Sequence, residues 1–205
     1  MIKLLKYFIL LLPILFVACE ETESEDEEFA NWQEVNANYF ASLYNTTKQK
    51  IAGGDATWKM FKKWSLEESI ATQPTDYIIV HILKEGTGTE SPLFTDTASV
   101  HYAARLLPST SFPSGYVFEK SYNGTFDEEI SKPTSLAINS TNYPMSNGLA
   151  TALQEMHIGD HWEVYIPTEL AWAQQGATDS STGATLVPEY SMIIVDITLV
   201  GYYNK

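Results

Sequence analysis

The sequence predicts an α+β fold in which an antiparallel sheet wraps around one helix, preceded by a helical extension. Short β-branched runs, separated by loops that contain Gly and Pro, fill the chain from residue 77 onward and indicate five or six strands. In that half, residues 148–156 (GLATALQEM) place their apolar side chains on a single helical face. Earlier in the chain, residues 29–44 repeat apolar side chains at spacings of three and four, which indicates an amphipathic helix.

The first nineteen residues have the pattern of an export signal. Lys3 and Lys6 precede an apolar run at residues 7–17, which is too short to span a membrane as a helix. The run ends in FVAC, which resembles a bacterial lipobox, so residues 1–18 are predicted to be a lipoprotein signal peptide. Cys19, the only cysteine, would then be lipidated, and the alternative is an ordinary signal beside a free thiol. We therefore expect a lipid-anchored protein of the bacterial cell envelope, at the outer membrane, on its periplasmic face or on the cell surface.

Residues 19–28 are predicted to be an acidic tether. Seven of them are acidic and none after the cysteine is apolar, so the segment should repel itself and stay extended. Without residues 1–18, which carry two basic and no acidic residues, the formal charge falls from −14 to −16. Such a chain lacks the basic face that nucleic acid requires, and it should meet the membrane only through its anchor.

Residues 29–73 are predicted to form a helical extension. A first apolar stripe contains Trp32, Val35, Tyr39 and Leu43, widened by Phe40 and Tyr44. A second helix is expected in WKMFKKWSLEES, where three aromatic residues stand three apart, namely Trp58, Phe61 and Trp64. We favour packing of these aromatic side chains on the main domain, and the alternative is a dimer contact through residues 29–64.

Residues 74–205 are predicted to form the main domain. Besides the helix at residues 148–156, the extended runs are residues 77–83, 99–107, 116–118, 135–139, 161–167 and 190–202. The loops between them hold the Gly and Pro residues that such a meandering sheet needs.

The sequence predicts no metal site and no cofactor. His157 and His161 stand four apart, but Gly159 and Asp160 between them indicate a turn with two solvent-facing imidazoles. His101 alternates with its neighbours along a strand and is interpreted as structural. No serine stands in a nucleophile elbow, and no Gly-rich phosphate loop opens a helix.

Several segments in a fixed order resemble one family. They are VHYAARL, VFEKSY, GLATALQEMHIGDHWEVYIPTELAW and LVPEYSMIIVDITLV. Together they resemble an FKBP-type peptidyl-prolyl cis–trans isomerase over residues 77–202. The resemblance implies an FKBP-like sheet around one helix, with an apolar pocket between them that receives the proline of a polypeptide substrate.

The resemblance also implies site residues. Four would be catalytic: Tyr102, Phe118, Glu119 and Trp172. Seven more would bind substrate: Met145, Ser146, Leu149, Ala171, Leu186, Val187 and Val195. Trp172 replaces a family tyrosine whose hydroxyl binds a substrate carbonyl, and its indole N–H is also a donor.

Four positions depart from the family pattern. Glu119 replaces an aspartate, and Leu149 replaces the tryptophan of the pocket floor. Thr134 and Val195 stand where aromatic residues are common. Because each lost aromatic wall removes about 1.5–3 kcal/mol of attainable burial, the pocket should hold proline weakly or with narrow specificity.

Three functions follow as hypotheses. The first is isomerisation of X–Pro bonds in exported polypeptides. The second is an FKBP-like peptide-binding or chaperone module without catalysis, because fold alone does not grant activity. The third is a structural part of an outer-membrane assembly, which requires exposed Trp32, Trp58 and Trp64.

Overall fold

The computed structural model defines residues 28–140, 146–172 and 175–204. Within these ranges, seven strands form one antiparallel sheet in the order β1-β2-β6-β9-β3-β4, with β5 pairing to the first half of β3. β7 and β8 form a separate two-stranded ribbon. The strands are β1 (Trp58–Lys62), β2 (Tyr77–Lys84), β3 (Thr97–Arg105), β4 (Val117–Lys120), β5 (Thr134–Ala137), β6 (His161–Ile166), β7 (Ala177–Thr178), β8 (Thr185–Val187) and β9 (Ile193–Tyr203). The helices are α1 (Trp32–Ala52) and α2 (Ser146–Leu153), with 3₁₀ turns at Glu68–Ile70, Pro74–Asp76 and Thr168–Leu170.

Helix α2 lies on one face of the sheet, which confirms the predicted α+β arrangement. Its Gly148 sits directly on Ile166 of β6, because a Cβ there would come 2.3 Å from Ile166 Cγ2. Ile166 shares its face with Val164, which stands opposite Val195 of β9. Helix α2 therefore packs on β6 and on its neighbours β2 and β1.

Helix α1 lies on the opposite face of the sheet. Lys50 near its end stands 3.8 Å above the ring of Trp58, and that ring stacks on His81 at 4.4 Å. Tyr165 of β6 stacks on the same tryptophan at 6.2 Å. Because Tyr165 alternates with Val164 along β6, these rings lie on the side away from α2.

The buried face of α1 differs from the predicted stripe. Trp32, Asn36, Phe40 and Thr47 are buried, whereas Val35 and Tyr39 are exposed. Asn36 is buried because its Oδ1 accepts the Met192 N–H at 3.0 Å and its Nδ2 donates to the Trp32 carbonyl at 2.7 Å. Hydrogen bonding to the main domain thus selects a polar side chain for the buried face.

The tryptophan of the first turn also joins α1 to the sheet. Trp32 Nε1 donates to Ser191 Oγ at 2.7 Å, immediately before β9 begins. This contact and the Asn36 contact occupy residues 191–192, which were predicted to lie inside the last strand. Tyr190 just before them has a φ of 60°, so the backbone turns there and the strand begins only at Ile193.

The second predicted helix of the extension is wrong, because residues 58–62 form strand β1. Trp58 pairs with His81 and Phe61 with Ile78 in an antiparallel register. A strand directs Trp58 and Phe61 to opposite faces, and Phe61 stacks on Trp162 of β6 at 5.7 Å. Trp58 and Phe61, although three residues apart, therefore pack on opposite faces of the sheet and do not form one helical stripe.

Two of the three tryptophans in the extension are buried. Trp32 and Trp58 are buried, whereas Trp64 is exposed and stacks on Phe94 at 4.0 Å. Burial of the first two counts against residues 29–64 as the docking surface of a structural component. Their partners lie within the same chain, and a dimer contact remains a prediction.

The other observed boundaries of helices and strands differ from the predicted ones by a few residues. Helix α2 ends at Leu153, three residues before the predicted end, and β3 runs over Thr97–Arg105. The predicted turn before β6 is confirmed: the Asp160 N–H donates to the His157 carbonyl at 3.0 Å, and the His157 N–H donates to Asp160 Oδ2 at 2.7 Å. No helix in the described ranges is long and apolar enough to cross a membrane.

Candidate active site

The strand register brings three of the predicted site residues to the face that carries α2. Ala104 of β3 stands opposite both Glu119 of β4 and Val195 of β9. Tyr102 lies two residues before Ala104 in the same strand and so points to the same side. Val195 also stands opposite Val164, beside the contact with α2. Tyr102, Glu119 and Val195 therefore lie on the side of the sheet that carries α2.

A short hydrogen bond joins two of the predicted catalytic residues. The Tyr102 hydroxyl donates to Glu119 Oε1 at 2.6 Å, with the tyrosine buried and the glutamate half-buried. The longer carboxylate is thus within reach of the phenol. A bond of this length fixes the two side chains relative to each other on the α2 side of the sheet.

An aromatic wall stands beside this pair. The rings of Phe118 and Trp172 meet edge to face, with centroids 5.5 Å apart and an interplanar angle of 72°. Phe118 is the extra residue of a β-bulge, because Ala104 pairs with Glu119 while Arg105 pairs with Val117. The bulge gives Phe118 a direction that regular alternation would not.

Trp172 is held at the wall by the way β6 ends. Pro167 follows the last residue of β6, and the 3₁₀ turn Thr168–Leu170 comes next, with buried Leu170 as its anchor. The Thr168 hydroxyl donates to the Tyr190 carbonyl at 2.8 Å and ties this turn to the start of β9. Trp172 is half-buried after the turn, and among the described residues its indole N–H has no acceptor. The indole can therefore donate a hydrogen bond to a bound molecule.

The other predicted binding residues divide by burial. Leu149, Val187 and Val195 are buried in the core, while Ala171 and Leu186 are partly buried against it. Thr134 opens β5 and is half-buried. Met145 lies outside the described residues, and of Ser146 only the helical backbone is described. Contact of these side chains with a substrate remains a prediction.

The sequence interpretation missed two features that shape the site. Gly148 lets α2 approach Ile166 closely, and an isolated glycine inside a helical pattern was the available signal. The bulge at Phe118 left no such signal, because it depends on how β4 pairs with β3.

The arrangement suits rotation about an X–Pro bond. An amide resists rotation with a barrier of roughly 18–20 kcal/mol, through resonance that separates charge in the planar form. Apolar and aromatic walls that exclude water disfavour that planar form, and donors such as the Trp172 indole can hold the neighbouring carbonyls. Such a reaction needs no acid, base or nucleophile from the chain. Within the described ranges, no three His, Cys, Asp or Glu side chains are grouped as metal ligands would be.

Comparison with known proteins decides the family. A sequence model of the FKBP-type peptidyl-prolyl cis–trans isomerases matches residues 88–200, more than half of the chain. The chain belongs to this family. The match includes every predicted catalytic residue, and family membership confirms the predicted FKBP-like fold.

Two relatives extend the comparison. The chain is 26% identical over 191 residues to the macrophage infectivity potentiator of Trypanosoma cruzi, covering 93% of this chain and 79% of that protein. It is 32% identical over 96 residues to the peptidyl-prolyl cis–trans isomerase Mip of Coxiella burnetii, covering 47% of this chain and 34% of that protein. The chain thus spans only about a third of the length of the Coxiella protein. A crystal structure of a peptidyl-prolyl cis–trans isomerase from Pseudomonas syringae has a TM-score of 0.48 at 21% identity, covering 80% of this chain and 96% of that one.

Proposed function

We propose that this protein catalyses cis–trans isomerisation of X–Pro bonds in exported polypeptides. The observation that carries the proposal is the aromatic wall of Phe118 and Trp172, whose indole N–H has no acceptor among the described residues. Phe118 directly precedes Glu119, which accepts the Tyr102 hydroxyl. A proline ring packs against the wall while the indole donates to a carbonyl of the substrate backbone. Both contacts can strengthen as the amide leaves planarity, and only such contacts accelerate rotation.

Specificity is weak or narrow in this proposal. Leu149 and Val195 are smaller than the aromatic residues that the family resemblance implies, and both are buried. Less aromatic surface is then left to hold the proline ring. The residue before proline, and its contacts with Ala171 and Leu186, therefore contributes a larger share of the binding.

The place of action follows from the N-terminal segment. Residues 1–18 would be removed as a lipoprotein signal peptide and Cys19 acylated, with the acidic residues up to Glu28 as a tether. All of these residues except Glu28 precede the described part of the chain. The proposal puts the isomerase at the bacterial cell envelope, anchored to the outer membrane and facing unfolded exported chains.

A second candidate is a module that holds peptides without isomerising them. The replacement of aromatic residues at Leu149, Thr134 and Val195 favours it, because binding survives weaker walls more readily than catalysis does.

Exchange spectroscopy by NMR on short peptides separates these candidates. Residues 20–205 would be mixed with tetrapeptides that vary in the residue before proline, and cis–trans exchange would be measured. Exchange faster than the spontaneous event, which takes tens to hundreds of seconds, supports the isomerase. Spontaneous exchange with peptide-induced shifts at Trp172 supports the holding module, and spontaneous exchange without shifts contradicts both.

A further inference from the structure

A second cavity lies on the sheet face opposite to α2. It measures about 820 Å³ and lies, partly open to solvent, between the sheet and the loop of residues 121–133. Its floor comprises His101 and Ala103 of β3, Asp196 and Thr198 of β9, and His161 of β6. Tyr102, between the two β3 residues, borders it as well, but the Tyr102 side chain turns to the α2 side of the sheet.

The floor holds a buried imidazole with an unused nitrogen. His101 is 7% exposed, and its Nδ1 has no hydrogen-bond partner among the described residues. The ring of Phe126, in the covering loop, stands edge-on to the imidazole at 5.0 Å. A buried polar atom without a partner is costly. Its presence at the edge of a cavity therefore points to a partner that the described residues do not supply.

The charges around the cavity compensate one another. His161 Nε2 lies 2.9 Å from Asp196 Oδ1, and Arg105 Nη2 donates to Glu163 Oε1 at 2.6 Å. Lys84 and Glu128, of opposite sign, complete the charged side chains of the lining. A charged ligand would find no excess of the opposite charge, so an uncharged ligand fits better.

Apolar side chains at the cavity are left open to solvent. Phe126, Ile158 and Val200 border it and are 40%, 40% and 43% exposed. Tyr122 extends this surface, with its ring centroid 5.1 Å from that of Phe126. A ligand that covers these side chains gains burial of apolar area.

We propose that this cavity binds an uncharged, ring-containing small molecule that donates one hydroxyl hydrogen to His101 Nδ1. The ring of the ligand packs on Ile158 and Val200, and Phe126 turns aside to admit the hydroxyl. The volume is within the range of sites for small molecules, roughly 300–1,000 Å³, which combine apolar walls with a few polar groups. This site is separate from the proline pocket and does not depend on isomerase activity.

A matched pair of probes tests the hydrogen bond. We would titrate residues 20–205, which retain the whole described part of the chain, with 2-naphthol and with its methyl ether, 2-methoxynaphthalene. The ether keeps the rings but has no hydrogen to donate. We expect 2-naphthol to bind about tenfold more tightly, the worth of one hydrogen bond to a buried acceptor. Its NMR shift changes should cluster at Phe126, Ile158 and Val200.

Two variants test whether the His101 imidazole causes the preference for 2-naphthol. His101→Phe keeps a ring but removes Nδ1, so the tenfold preference should disappear, whereas His157→Phe, outside the cavity, should retain it. If His101→Phe fails to fold, the wild-type His101 Nδ1 resonance decides: it should move with 2-naphthol and not with the ether. Equal affinity for the two probes, an unmoved Nδ1, or shifts clustered at Phe118 and Trp172 would each overturn the proposal.

Discussion

Replacement of Asn36 by alanine tests whether α1 is an integral part of the folded domain. The Asn36 side chain is 1% exposed and accepts the Met192 N–H at 3.0 Å while donating to the Trp32 carbonyl at 2.7 Å. Asn36→Ala removes both bonds, and the Met192 N–H then has no partner from the protein.

The expected loss of stability follows from the unpaired N–H of Met192. A buried donor left without an acceptor costs about 1–3 kcal/mol. A cavity of about 220 Å³ borders both Asn36 and Met192, so water can reach the freed group and moderate the loss. We therefore expect the free energy of unfolding to fall by about 1–2 kcal/mol, which lowers Tm by about 2–8 °C for a chain of this size.

Urea unfolding followed by tryptophan fluorescence measures the change. Asn38→Ala is the matched control, because Asn38 is exposed on the same helix and its variant should stay within about 0.5 kcal/mol of wild type. Equal stability of the two variants would refute the reasoning, since the bond to Met192 would then contribute nothing to docking of α1.

Two further predictions concern the sheet. Gly148→Ala should lower the free energy of unfolding by about 1–3 kcal/mol, because the new Cβ would come 2.3 Å from Ile166 Cγ2 and force α2 outward. Urea unfolding of Gly201→Ala, where nothing lies within 4 Å, is the control, and equal losses would contradict the contact. Asp196→Asn should lower the pKa of His161, because the hydrogen bond that Asp196 Oδ1 accepts from His161 Nε2 is the main cause that raises it; NMR titration of the imidazole measures this. Because the pKa of His161 is higher in the folded than in the unfolded chain, its protonation stabilises the fold fully below about pH 6.5. This stabilisation is lost as pH rises through the folded pKa. The difference in the free energy of unfolding between wild type and variant should therefore shrink from pH 5 to pH 9. A difference in the free energy of unfolding that stays constant with pH would contradict this contribution of the His161–Asp196 pair.

Most strands of the sheet could be predicted because the residue types within each strand favour extended structure. Residues 77–83 form a short run rich in β-branched side chains, and the observed strand is Tyr77–Lys84. Strand β1 was missed because Trp58, Phe61 and Trp64 stand three apart, as on a helix. Their real partners are His81, Trp162 and Phe94, which are distant in sequence and belong to no local pattern.

The buried face of α1 escaped prediction for a different reason. Hydrophobicity favours Val35 and Tyr39 over Asn36, yet Asn36 is the buried residue. Its burial depends on an N–H at Met192, 156 positions away, that needs an acceptor. A pattern of apolar residues cannot indicate that a backbone N–H on the surface that α1 packs against needs a hydrogen-bond acceptor.

The family resemblance indicated Tyr102, Phe118 and Trp172 as site residues, and their roles remain predictions. The fold brings Tyr102 to Glu119 and Phe118 to Trp172, and neither contact could be predicted from the sequence. The edge-to-face contact of Phe118 and Trp172 depends on the bulge in β4 and on the turn after β6. His161 was expected to face solvent, but it pairs with Asp196 across the sheet, since β6 and β9 are neighbours only in the folded chain.

Measurement of kcat/KM for Trp172→Ala tests the central claim most directly. The substitution removes one aromatic wall and one hydrogen-bond donor, so kcat/KM for an X–Pro peptide should fall at least about tenfold. Trp64→Ala, which loses an exposed ring stacked on Phe94, should stay near the wild-type value. An isomerase whose kcat/KM is unchanged by Trp172→Ala would contradict the assignment of the pocket.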